Sequence, residues 1–186
     1  MQSDNWAQKA KDMGYRSRAV FKLEEILKKT NLKKISNVLD LGSAPGGWSQ
    51  FIIKKYSNSR VFAVDILDMK KIDGVDFFQT SIEEIQEIYE IEILRGKFNL
   101  VISDIAPNLT GISAIDGENI LNLNKLTIDT AYNYLDIGGS LIMKTFQNSN
   151  LKSLRKDMEL SFKLVQTYKP AASKKQSGEI YLYGVK

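Results

Sequence analysis

From Asn37 onward, short β-branched and apolar runs alternate with longer segments of helical period, and no other feature of the chain constrains its fold as much. The runs are Val38–Leu41, Arg60–Asp65, Val75–Gln79, Asn99–Ser103, Ser140–Thr145, Phe162–Tyr168 and Ile180–Val185. Between them the spacing predicts helices over Trp48–Tyr56, Ile82–Leu94, Glu118–Leu135 and Leu151–Leu160. Strands separated by helices are expected to lie parallel in one sheet, with helices covering both faces, which is the α/β class. Only the polar stretch KPAASKKQSGE separates the last two runs, so these should form an antiparallel pair ending a mostly parallel sheet. Ahead of the first strand, Ala19, Val20, Leu23, Ile26 and Leu27 recur at helical spacing. A helix over Arg18–Lys29 should therefore pack one face onto the sheet and carry basic charge on the other.

A chain of 186 residues with 43% hydrophobic content can bury one substantial core but is short for two ordinary domains, so residues 1–186 are expected to form one domain. No apolar run approaches the ~20 residues of a membrane-spanning helix, and the opening MQSDNWAQKAKDMGYRSR lacks the apolar centre of a secretory signal, so a soluble protein is expected. The sequence contains no cysteine and no histidine. That excludes disulfides, thiolate metal sites and every histidine-containing triad, and it leaves proton transfer to Lys, Asp, Glu or Tyr. The net charge of +4 is uneven: residues 1–34 hold nine Lys and Arg against four acids, and the rest of the chain is near neutral. This basic segment, expected to be helical, suggests a phosphate-rich partner approaching from one side; a solvated, solubilising face would look the same.

The first strand runs into LDLGSAPGGWSQ, where Gly42, Gly46 and Gly47 bracket a tight turn before a helix. Glycines there let the backbone approach a ligand, and the helix start presents unpaired N–H donors. Such turns serve NAD, FAD and S-adenosylmethionine proteins alike. The spacing G-S-A-P-G-G is not the G-x-G-x-x-G of pyrophosphate binders, and Pro45 stiffens it, which counts against a dinucleotide-dependent dehydrogenase. Asp65 ends the second strand, where a carboxylate can take both ribose hydroxyls of an adenosine. The turn from Gly42 through Ser43, Pro45, Gly46 and Gly47 to Trp48, together with Asp65, is the expected cofactor site.

Asp104 follows the fourth strand, at the sheet edge where ligands of open α/β sheets bind. Lys144 follows the apolar run Leu141–Met143 to the same edge, either snorkelling outward or held partly buried for chemistry. Lys22 interrupts the apolar face of the amino-terminal helix, and Glu179 stands just before the last strand. Periodicity does not say whether these four meet.

The segments RSRAVFKLEEI, VLDLGSAPGGWSQ, VISDIAPNLTG, IMKTFQ and SGEIYLYG, in this order, resemble the FtsJ-type ribosomal RNA ribose 2′-O-methyltransferases from about Tyr15 to the carboxyl terminus. The resemblance implies a Rossmann-like class I methyltransferase fold, with a seven-stranded sheet whose last strand is antiparallel. It places a Lys-Asp-Lys-Glu tetrad on Lys22, Asp104, Lys144 and Glu179, and cofactor contacts on Gly46, Trp48, Asp65 and Asp104. One departure stands out: where the family commonly has an acid after the third strand, this chain has Ser81, which offers a hydroxyl but no charge to adenine.

The activity implied is methylation of a ribose 2′-hydroxyl by S-adenosylmethionine, leaving S-adenosylhomocysteine, with no metal required. Lys144 is then the expected base, with Lys22 as the neighbouring cation that favours loss of its proton. Asp104 would orient the lysine and balance the cationic cofactor, and Glu179 would position Lys22 or the target ribose. The expected substrate is a uridine of large-subunit ribosomal RNA, bound by a monomer with no membrane partner. A bacterial enzyme would be cytoplasmic, and a eukaryotic one would work in the mitochondrial or another organelle matrix. Transfer RNA or an mRNA cap are the alternative substrates, and an inactive RNA-binding ribosome assembly factor is the alternative function.

Overall fold

Seven strands form one sheet in the order β3-β2-β1-β4-β5-β7-β6. The computed structural model describes residues 5–30, 32, 35–107, 110–174 and 177–186. Asp4, Lys33 and Lys34 of the basic segment, Asn108 and Leu109 of the APNLTG run, and Lys175 and Gln176 of the last connection lie outside the described residues. The strands are β1 (Asn37–Leu41), β2 (Arg60–Asp65), β3 (Val75–Gln79), β4 (Phe98–Ser103), β5 (Leu135–Phe146), β6 (Leu164–Tyr168) and β7 (Glu179–Val185). β7 runs antiparallel between β5 and β6, and the pairs from β3 through β5 are all parallel, as the sequence predicts.

The central strands are buried on both faces, as their near-continuous apolar runs require. Alternation along each strand sends Leu39, Leu41, Val101, Leu141 and Met143 to one core. That core is closed by Ile128, Ala131 and Tyr134 of α5 (Ser113–Tyr134) and by Leu154 and Met158 of α6 (Leu151–Ser161). The opposite face sends Val38, Leu100, Ile102 and Ile142 against Val20, Leu23, Ile26 and Leu27 of α2 (Ala19–Thr30) and Trp48, Phe51 and Ile52 of α3 (Gly47–Lys55). A first helix, α1 (Asn5–Asp12), packs Trp6 on Phe21 and buries Ala10 in the same core.

Four elements differ from the periodicity reading by two residues or more, among them α5, which starts at Ser113 and not at the expected Glu118. The expected helix over Ile82–Leu94 is instead a 3₁₀ helix (Ile82–Glu87) followed by the short α4 (Tyr89–Glu92). Ile82, Ile85, Ile88 and Ile91 recur every third residue, which suits three residues per turn better than 3.6. β5 starts at Leu135, five residues early, because Leu135 pairs with Phe98 before the register shifts and Ser140 pairs with Leu100. β6 starts at Leu164 because the N–H of Phe162 closes α6 on Met158 (2.9 Å) while its ring enters the core.

One buried charge lies beneath the glycine turn. Asp40 of β1 is 1% exposed, and Ser49 Oγ donates to its Oδ2 at 2.6 Å. Burial pushes the Asp40 carboxyl from near 3.8 up to about 7; the Ser49 hydrogen bond opposes the rise, and the Asp104 and Asp65 charges add to it. The folded chain thus holds a proton that the unfolded chain has released, so stability falls as pH rises from about 4 to about 7. Asp40→Asn removes this titration while keeping an acceptor for Ser49. Its melting temperature relative to wild type should therefore be higher at about pH 8 than at about pH 5, and an equal difference at both would show that Asp40 does not titrate there.

Candidate active site

The chain passes from β1 outward to β2 and β3, then returns to lay β4 on the other side of β1, so the carboxyl ends of β1 and β4 open a crevice between diverging connections. A cleft of about 620 Å³ occupies this place, well within the range for a nucleotide-sized ligand. Gly42, Ala44, Asp65, Ser81 and Asp104 line it, with Ile66, Leu67 and Ile105 supplying apolar walls and Asn119 and Asn122 of α5 facing them. Gly42 is required by space as well as by conformation: its φ is +73°, and an added Cβ would fall 2.6 Å from Cβ of Ile105. The backbone there fills the room a side chain would need, as expected where main chain must approach a ligand closely.

Asp65 is held in place by the turn it serves. Its Oδ2 accepts the Ala44 N–H and its Oδ1 the Leu67 N–H, each at 2.8 Å. Each oxygen keeps a free lone pair toward the cleft, enough for two ribose hydroxyls. Ser43, Pro45, Gly46, Gly47 and Trp48 do not line the cleft. The Ser43 hydroxyl is buried without a partner among the described residues, and Gly46, at φ +96°, precedes α3. Trp48 is buried, donates its indole N–H to the Ala19 carbonyl at 2.8 Å and packs its ring against Tyr181. It therefore joins α3 to α2 and β7 from behind the turn.

Ser81 lines the cleft at the start of the 3₁₀ helix, where its hydroxyl accepts the Glu83 N–H at 3.3 Å. Gln79, two residues before Ser81, turns its amide to the Ile66 carbonyl at 3.2 Å. Glu83 and Thr80 line the cleft instead.

The four charged residues converge beside this cleft. Lys22, 7% exposed, pairs with Glu179 at 2.7 Å, and Lys144 pairs with Asp104 Oδ1 at 3.3 Å while also donating to the Asp104 backbone carbonyl. Burial works against the Glu179 charge, but the hydrogen bonds and fields of Lys22, Ser173 and Lys144 outweigh it and hold the carboxyl below the usual glutamate range. Tyr181 links the two pairs: its hydroxyl donates to Asp104 Oδ1 at 2.8 Å, and the Lys22 ammonium lies 5.8 Å from its ring centre. Burial, reinforced by the Asp104 and Glu179 charges, raises the phenol far above its ordinary range, so it remains a donor. The sequence reading missed Tyr181. The available signal was its place two residues after Glu179, hence on the same face of β7, and β7 register sets it beside Lys144.

The family model for FtsJ-like methyltransferases matches residues 15–186. The chain belongs to that family. Among relatives, it is 43% identical to the ribosomal RNA large subunit methyltransferase E of Chromobacterium violaceum, over 98% of this chain and 91% of that one. It is 40% identical to the protein of that description from Stenotrophomonas maltophilia strain K279a, over 98% of this chain and 89% of that one. A crystal structure from Plasmodium falciparum, described as a ribosomal RNA methyltransferase, superposes with a TM-score of 0.79 at 33% identity, covering 92% of this chain and 97% of its own. Membership makes the protein a methyltransferase, and a methyltransferase works on a methyl donor. Both dinucleotide-dependent dehydrogenation and an inactive scaffold lose ground accordingly.

Proposed function

We propose that this protein transfers a methyl group from S-adenosylmethionine to the 2′-hydroxyl of a ribose in RNA, at a uridine of large-subunit ribosomal RNA, and that the whole chain is one catalytic domain. One observation carries the reading: Asp104 belongs at once to the nucleotide-sized cleft and, through Lys144 and Tyr181, to the buried charged set beside it. A donor site and a proton-accepting site thus share one residue. The relatives' descriptions support ribosomal RNA over transfer RNA or an mRNA cap.

The cleft fits S-adenosylmethionine in size, in the close backbone approach at Gly42 and in the Asp65 and Asp104 carboxylates that line it. Bound there, the cofactor supplies an electrophilic methyl on a sulfonium. Asp65 would hold the ribose hydroxyls, Ile66 and Leu67 would cover the adenine, and Ser81 would offer it a hydroxyl. Asp104 provides negative charge toward the donor's positive end. With that carboxylate engaged by a cation in the cleft, Lys144, once its ammonium has given up a proton to solvent, would accept the proton of the 2′-hydroxyl as a neutral amine. Lys22 adds positive charge nearby, and Glu179 keeps Lys22 fixed by an ion pair shielded from solvent. Among the described residues no helix is long and apolar enough to cross a membrane, consistent with work on ribosomes in the cytoplasm or an organelle matrix.

The decisive experiment incubates the protein and S-adenosylmethionine with assembled large ribosomal subunits and with naked ribosomal RNA, then maps ribose methylation by nucleotide. A single 2′-O-methyluridine is expected; methylation confined to transfer RNA or cap substrates would redirect the substrate, and cofactor binding with no transfer to any RNA would favour the assembly-factor reading.

Asp65→Ala removes the ribose acceptor and the anchors to Ala44 of the turn and Leu67 after β2. S-adenosylhomocysteine affinity should fall by about 1.5–3 kcal/mol, roughly ten- to 150-fold. Calorimetry with unchanged affinity would take Asp65 out of the donor site.

A further inference from the structure

Arg16 is one of the nine basic residues that suggest a phosphate-rich partner, yet its donors go to the protein's own backbone. Its guanidinium donates to the carbonyl of Pro45 in the glycine turn at 3.0 Å, and to the carbonyls of Lys70 and Lys71, in the connection after β2, at 2.6 and 2.7 Å. The arginine is itself anchored: its N–H donates to Gln50 Oε1 of α3 at 3.1 Å, and the Gln50 amide returns to the Gly14 carbonyl at 2.9 Å. The packing leaves little slack, since a Cβ added at Gly46 would lie 3.1 Å from Arg16 Nη1 and one at Gly47 would lie 3.0 Å from Cβ of Ser17. A guanidinium presents its donors in a rigid planar fork, so one side chain holds carbonyls of two segments in a single geometry.

Those two segments carry two walls of the cleft, Gly42 and Ala44 on one and Ile66 and Leu67 on the other. Asp65 ties them from inside through the N–H groups of Ala44 and Leu67, but its remaining lone pairs face the ligand. Arg16 ties them from outside: neither it nor the residues of its three carbonyl acceptors line the cleft. We propose that Arg16 is a positioning residue for the methyl-donor site, setting the spacing between the glycine turn and the connection after β2. The amino-terminal segment thereby becomes part of the donor site. This rests on the reading of the cleft as an S-adenosylmethionine site.

The test compares full-length wild type, Arg16→Ala and Arg16→Lys by calorimetric titration with S-adenosylhomocysteine, thermal unfolding without ligand, and steady-state methyl transfer. Arg16→Ala should weaken the product complex by about tenfold and raise the donor KM more than it lowers kcat. Arg16→Lys, whose ammonium cannot serve both segments in fixed geometry, should fall between the two. A purely structural arginine would lower the unfolding temperature while leaving the dissociation constant, measured well below that temperature, at the wild-type value. A contact to RNA alone would raise the RNA KM with the same unchanged constant. Either result overturns the proposal, and if Arg16→Ala does not fold, wild-type affinity in Arg16→Lys overturns it equally. Absence of binding by the wild type itself would instead remove the donor-site reading, taking this proposal with it.

Discussion

Lys144→Ala is expected to lower methyl transfer by about 10²–10⁴-fold in a single-turnover assay with saturating RNA and donor, the usual contribution of a general base. Product affinity should stay near wild type, because Lys144 reaches the cleft only through Asp104 and does not line it itself. Lys144→Arg separates charge from proton transfer. A guanidinium can still pair with Asp104, but it does not give up a proton near neutral pH, so this variant should be almost as inactive. Near wild-type transfer by Lys144→Arg would mean that charge and positioning suffice, and the base would have to be sought elsewhere.

Asp104 should show the second large effect, and two substitutions divide its roles. Asp104→Ala takes away the charge partner of Lys144 and the acceptor of the buried Tyr181 hydroxyl. Leaving that hydroxyl unpaired costs about 1–3 kcal/mol of stability in addition to any catalytic loss. Asp104→Asn keeps an oxygen for Tyr181 and removes only the charge. Both variants should lose at least about 10²-fold in methyl transfer. Chemical denaturation should find the asparagine variant close to wild type and the alanine variant destabilised. An asparagine variant that turns over normally would show that the negative charge at this junction is dispensable, and the reading of Asp104 as the balance for a cationic donor would fail.

The secondary structure and the chemistry of single positions were largely legible in the chain. Strand alternation, the glycine turn and the acids ending β2 and β4 are local features, governed by backbone sterics and side-chain period. The misread helix over Ile82–Leu94 shows the limit of such rules, because apolar residues at every third position satisfy a helical pattern while packing as 3₁₀ turns. Lys22 was visible as a charge on an apolar helix face, and Glu179 as an acid before a strand, but only resemblance to a family connected them.

By itself the sequence determined that strands and helices would alternate, that any proton transfer would fall to lysine, carboxylate or tyrosine, and that a glycine would be needed at the tight turn around Gly42. The tertiary structure decided which of these groups meet. Placing β7 between β5 and β6 sets Tyr181 beside Lys144, and packing α2 on the same sheet face brings Lys22 to Glu179 across 157 positions of sequence. It also put Trp48 behind the turn and turned Arg16 from a surface charge into a brace between Pro45 and Lys70. The physical reason is common to all of these: an ion pair or hydrogen bond needs partners within about 3 Å, and such distances between remote segments follow from strand order and helix packing, which no local pattern encodes.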